Sequence, residues 1–135
     1  MRIVFDTNVL LAGVFARGVC EALLDLCVTS EQHEVILSEY ILDEFALHAT
    51  SKFGAPMQRV QHALMMFRAQ CEVVQPVHVP ADACRDTDDL PILGTTLAGQ
   101  AECLVTGDKN LLALRTFHSI HILPPRQLFD RLTRP

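Results

Sequence analysis

The stretch Arg2-Ile3-Val4-Phe5-Asp6-Thr7-Asn8 decides how this chain is read. Its short apolar run predicts a strand buried on both faces, the pattern of a central strand in a parallel sheet. The run ends abruptly in an aspartate with small polar neighbours, before Val9, Leu10 and Leu11 resume it. In open α/β sheets ligands bind beyond the carboxyl ends of the strands, near a topological switch point. Asp6 marks where such a crevice should begin.

Outward from there, strand and helix patterns alternate. Val9–Phe15 predicts a short helix or turn closed by Gly13 and Gly18, and residues 18–30 an amphipathic helix. Glu34–Leu37 predicts a second buried strand, and Ser38 the N-cap of a helix running to about Lys52, before Gly54-Ala55-Pro56 breaks it. Met57, Val60, Leu64 and Phe67 form a further helical stripe, read as a core or helix–helix face. Glu72–Val74 predicts a short strand and Pro76–Ala83 a loop. A helix to about Ala98 follows, with Pro91 tolerated in its first turn. Cys103–Thr106 and Ile120–Leu123 predict two more strands, with a short helix at Lys109–Leu114 and a final helical turn carrying Leu128, Phe129 and Leu132. This alternation predicts a three-layer α/β/α sandwich with a mostly parallel central sheet.

The 135 residues predict one domain over 1–135, and half of them are hydrophobic, an ordinary globular composition. No apolar run is long enough to span a membrane and no signal-peptide pattern opens the chain. The five cysteines are odd in number and form no C-x-x-C pair, so reduced thiols in a cytoplasmic protein are expected. A formal net charge of −5 gives no help to a polyanion-binding function by itself. Any such site needs its attraction from elsewhere, such as bound metal.

Two predicted strands end in an aspartate at the same edge, Asp6 after Val4-Phe5 and Asp108 after Thr106-Gly107. Asp108 could equally serve only as a helix cap. At about 100° per residue Glu44 falls in the sector of Ile41, Phe45 and His48, while Glu39 and Asp43 point to solvent. A carboxylate on a buried face needs a partner, either an arginine or a shared cation. The run Asp86-Thr87-Asp88-Asp89 supplies a fourth acid. Asp89 can face the strand edge, Asp86 precedes it, and Asp88 is the N-cap or solvent-facing; capping alone would also explain such a run. Four carboxylates in one pocket repel one another unless protonated or neutralised by Mg²⁺ or Mn²⁺, hard ions that take oxygen ligands. The matching chemistry is metal-assisted phosphodiester hydrolysis, with Thr7, Asn8 and Thr106 as supporting donors. The chain has no Gly-rich phosphate loop, no G-x-S-x-G elbow and no paired metal-spaced histidines.

These residues resemble PIN domains, the PilT N-terminus family, over nearly the whole length. The likeness rests on Arg2–Leu10 around Asp6-Thr7-Asn8, on Leu42-Asp43-Glu44-Phe45, on Arg85–Asp89, and on Val105-Thr106-Gly107-Asp108-Lys109-Asn110-Leu111-Leu112. The toxins of type II toxin–antitoxin systems (VapC-like ribonucleases) are the most similar branch. The resemblance implies a Mg²⁺- or Mn²⁺-dependent endoribonuclease with Asp6, Glu44, Asp89 and Asp108 as catalytic and metal-binding acids. Asp86 would then be a supporting acid. It also implies an RNA substrate, a homodimer and a small antitoxin partner. The departures are Asp86-Thr87-Asp88-Asp89 in place of Asp-Pro-x-Asp, Asn110 where Asp is frequent, and Leu90-Pro91 where polar residues are common. Two other readings stay open: a catalytically silent PIN-like interaction module, and a nuclease acting on DNA.

Overall fold

A computed structural model describes residues 1–134. Strand β1 (Arg2–Phe5) lies inside the sheet, parallel to β2 (Glu34–Ser38) on one side and β4 (Cys103–Val105) on the other. Val4 sits opposite both Ile36 and Leu104, and Ile3, Val4 and Phe5 are fully buried. Two-sided burial is why this strand is apolar throughout instead of alternating. The remaining strands are β3 (Glu72–Val74), β5 (Thr116–Phe117) and β6 (Ile120–Leu123), in the sheet order β3-β2-β1-β4-β6-β5. Among the described residues only the β5–β6 pair is antiparallel.

From β1 the chain moves one way to β2 and β3, then crosses back to β4 and β6. Right-handed crossovers of opposite sense put their helices on opposite faces, which gives the three layers. The reversal falls between β1 and β4, so the crevice lies at the carboxyl ends of these two strands.

The helices are α1 (Thr7–Phe15), α2 (Val19–Thr29), α3 (Glu39–Phe53), α4 (Met57–Gln70), α5 (Leu90–Ala98), α6 (Lys109–Leu112) and α7 (Pro125–Thr133). Helix α1 begins at Thr7, two residues before the apolar pattern predicts, because the Asp6 side chain caps it. Gly13 lies inside that helix and does not close it. Gly13 lets α2 approach, since a Cβ there would meet Leu24 Cδ2 at 3.0 Å. Ser38 caps α3 as expected, accepting from Ile41 N, and Gly54 ends it in the left-handed region that glycine adopts freely.

Phe45 anchors α3, stacking on Phe15 of α1 with centroids 6.0 Å apart and meeting Phe67 of α4 edge-on at 5.3 Å. That packing sets the rotation of α3 and hence the direction of Glu44. Two expectations on these helices are corrected. Met57 is exposed at the first turn of α4, away from the core side formed by Val60, Ala63 and Phe67. Glu39 is not simply solvated, since Arg68 of α4 forms two hydrogen bonds with it.

At the amino end of β1, away from the crevice, the Arg2 guanidinium contacts Glu34 of β2, Glu72 of β3 and the Gly99 carbonyl. Among the described residues no helix is long and apolar enough to cross a membrane.

Candidate metal centre

Asp6 is 6% exposed at the end of β1, and both its oxygens are occupied. Oδ1 accepts from Thr7 N at 2.7 Å, the capping bond of α1, and Oδ2 accepts from Thr106 Oγ1 at 2.6 Å. Thr106, itself fully buried after β4, also accepts from Asp108 N at 3.0 Å. One hydroxyl thus ties the carboxylate on β1 to the backbone that presents the carboxylate after β4. Asp108 in turn caps α6, its Oδ1 accepting from Asn110 N at 2.8 Å. Capping and convergence are therefore not alternatives for Asp6 or Asp108; each caps its own helix from the same crevice.

Glu44 enters from α3. Its Oε1 accepts from Thr7 Oγ1 at 2.9 Å, and its Oε2 lies 3.1 Å from the Tyr40 hydroxyl. That hydroxyl is also 2.9 Å from the Asp88 carbonyl, so one proton is shared between α3 and the acidic loop. No arginine pairs with Glu44 among the described residues; the partners are hydroxyls. Burial, and then the Glu44 charge, raise the Tyr40 phenol, which stays a proton donor.

The acidic run folds as a 3₁₀ turn, Thr87–Asp89, leading into α5. Asp86 caps this turn, accepting from Asp88 N at 2.9 Å, and Asp88 is exposed. Asp89 is half-buried, and its Oδ2 is buried with no hydrogen-bond donor. Burial first, then the Asp108 carboxyl beside it, push Asp89 up to about 7, with Asp6 and Asp86 adding to the repulsion. Asp6 is raised mainly by burial, against the pull of its bonds from Thr106 and Thr7.

These acids line one cavity of about 190 Å³, together with Thr7 and Asn8. Every predicted site residue except Thr106 reaches it, and Thr106 acts from behind Asp6. Asp88, expected at a cap or in solvent, also lines it, as do two residues the motifs did not single out, His48 and Lys52 on α3. Their signal was present as spacing, because Glu44, His48 and Lys52 follow one another at four-residue steps on one helix face.

The donor set suits a hard divalent cation: carboxylate oxygens, one of them buried without a donor, in a pocket whose charges repel. Among the described residues no group of three His, Cys, Asp or Glu side chains is placed to hold an ion by itself. An ion here would complete its coordination with water, as Mg²⁺ usually does.

A family model described as the PIN domain matches residues 2–110. The fold is similar to that in the crystal structure of VapBC2 from Rickettsia felis bound to a DNA fragment from their promoter, with a TM-score of 0.61. That alignment covers 90% of this chain and 97% of the other at 15% sequence identity. No curated protein matches the sequence.

Proposed function

The chain belongs to the PIN domain family, and on that premise we propose that it is a divalent-metal-dependent endoribonuclease, the toxin of a toxin–antitoxin pair. The observation that carries this reading is the convergence of Asp6, Glu44, Asp89 and Asp108 on one cavity at the strand reversal. Acids so placed require protons or cations, and Asp89 Oδ2 offers a buried oxygen with no donor of its own.

Asp6, Asp89 and Asp108 would hold Mg²⁺ or Mn²⁺, with Glu44 directed by Thr7 and Tyr40 toward the ion or its water. When bound, the ion supplies charge neutralisation, an acidified water and stabilisation of the leaving oxygen. The chain's own contribution is positional. Thr106 holds Asp6 in one rotamer, Asp86 shapes the turn that presents Asp89, and exposed Asn8 lies at the rim. Lys52 adds positive charge beside the acids and His48 a further polar side chain, and the lysine favours an approaching phosphate in a chain of net charge −5.

An antitoxin partner and a homodimer belong to the same reading. The fold likeness to VapBC2 supports the first. Leu47, Phe53 and Met57, exposed on α3 and α4, supply apolar surface for either contact. A single domain acting in the cytoplasm completes it.

The test is single-stranded RNA cleavage in Mn²⁺, paired with calorimetric titration of Mn²⁺. Wild type should bind the ion and cut. Asp6→Asn should lose several kcal/mol of transition-state stabilisation, at least about a hundredfold in rate, while remaining folded. Undiminished cleavage by Asp6→Asn removes the assignment. A folded wild type that binds no Mn²⁺ and cuts no RNA would instead be a PIN-like module working through protein contacts, and cleavage of DNA alone would change the substrate.

A further inference from the structure

Beside the acidic cavity lies a second, larger recess of about 570 Å³ that the reading above does not use. It lies between the loop after β3 and the start of α5, lined by Val77, Val79, Leu90 and Pro91, with Tyr40 as the wall toward the acids. Its volume lies within the range of sites for small organic groups, about 300–1,000 Å³. The recess is held open by backbone, because Val77 N donates to Gly94 O at 3.2 Å and the loop packs directly on that glycine. A Cβ at Gly94 would stand 2.3 Å from Val77 O, so only glycine lets the loop lie this close to α5. Val77 nevertheless remains 46% exposed, an apolar side chain left open to solvent on a preformed wall.

Tyr40 joins the two cavities. Its ring borders the recess while its hydroxyl reaches Glu44 Oε2 and the Asp88 carbonyl. A flat, apolar group seated against this ring is therefore one side chain away from the acids.

We propose that the recess beside Tyr40 is a nucleobase subsite, which takes one unpaired base of the strand whose phosphate lies at the acidic cavity. It rests on the nuclease reading and deepens it. Any base offers a π-face to an aromatic ring, whereas a base held in a duplex cannot leave its stack without cost. The subsite accordingly selects single-stranded over paired substrate. A nucleotide fits this position better than a peptide, because the group that enters the recess must continue into a pocket built for phosphate and cation.

Tyr40 is the only tyrosine, so its ring signals in an NMR spectrum have a single source. Full-length protein would be titrated with tetraadenylate, and with the abasic ribose-phosphate tetramer, in Ca²⁺, a hard cation of looser geometry than Mg²⁺. The expected result is movement of the Tyr40 ring signals with tetraadenylate and none with the abasic tetramer. Tyr40→Phe, which keeps the ring, should bind tetraadenylate within about twofold of wild type. Tyr40→Leu should bind about tenfold more weakly or worse, the scale of one lost base–aromatic stack. Equal movement with the abasic tetramer, no movement with either, or undiminished binding by Tyr40→Leu overturns the proposal. The wild-type titration decides even if Tyr40→Leu does not fold. Hydrolysis is scored separately. RNA that moves the ring yet survives Mg²⁺ and Mn²⁺ sinks the nuclease reading and keeps the subsite, and RNA that is cut with the ring unmoved does the reverse.

Discussion

Asp89 has a buried oxygen facing no donor and the Asp108 carboxyl at its side, so its titration should contribute to how the metal-free protein's stability depends on pH. Its proton is held to about 7 in the folded chain against an ordinary value of 3.8. Between these values the folded state binds the extra proton, so stability falls as pH rises through the interval and levels off above it. In EDTA, Asp89→Asn should flatten that fall and melt higher than wild type at pH 8, with little difference near pH 4. Thermal scans at both pH values check it, and an unchanged slope in the variant would remove Asp89 as the cause. The sequence expected these acids at one strand edge with Asp89 facing it, but it left the capping residue of the run undecided. Asp88 could cap or face solvent on sequence alone; the 3₁₀ turn gives the cap to Asp86 and leaves Asp88 exposed and Asp89 half-buried.

At the level of elements, the parallel strands and long helices were legible because their patterns are local: buried runs, a serine cap, a glycine stop. Two features were not. The β5–β6 hairpin turns through His118 and Ser119 with φ of 50° and 72°, and neither is the glycine or asparagine that signals such a turn. Helix α5 reads as amphipathic, yet what distinguishes it is Gly94, where it meets the loop after β3. Gly94→Ala should force that loop away, costing about 1–3 kcal/mol and about 4–10 °C of melting temperature. A variant that melts with the wild type would show that the loop gives way freely and that the recess is not held by this contact.

For the whole molecule, the repulsion within the acidic cavity is stored in the folded state alone, so a cation that relieves it should stabilise folding. At about 100 times its dissociation constant, Mn²⁺ should add about 2.7 kcal/mol, a rise of about 10 °C for a chain of this length. The rise should be lost in the Asp6→Asn/Asp108→Asn double variant, and an equal rise there would place the ion elsewhere. The sequence by itself determined the class of fold and the order of the acids along it, because a strand buried on both faces must be apolar and a carboxylate at its end must face the crevice. The tertiary structure alone decided what surrounds those acids: Thr106 bridging β1 to β4, Tyr40 reaching the acidic loop, and the recess behind Tyr40. These depend on the rotation of α3 and the closeness of α5 to its neighbouring loop. Both are set by packing between residues far apart in the chain, and no local pattern encodes them.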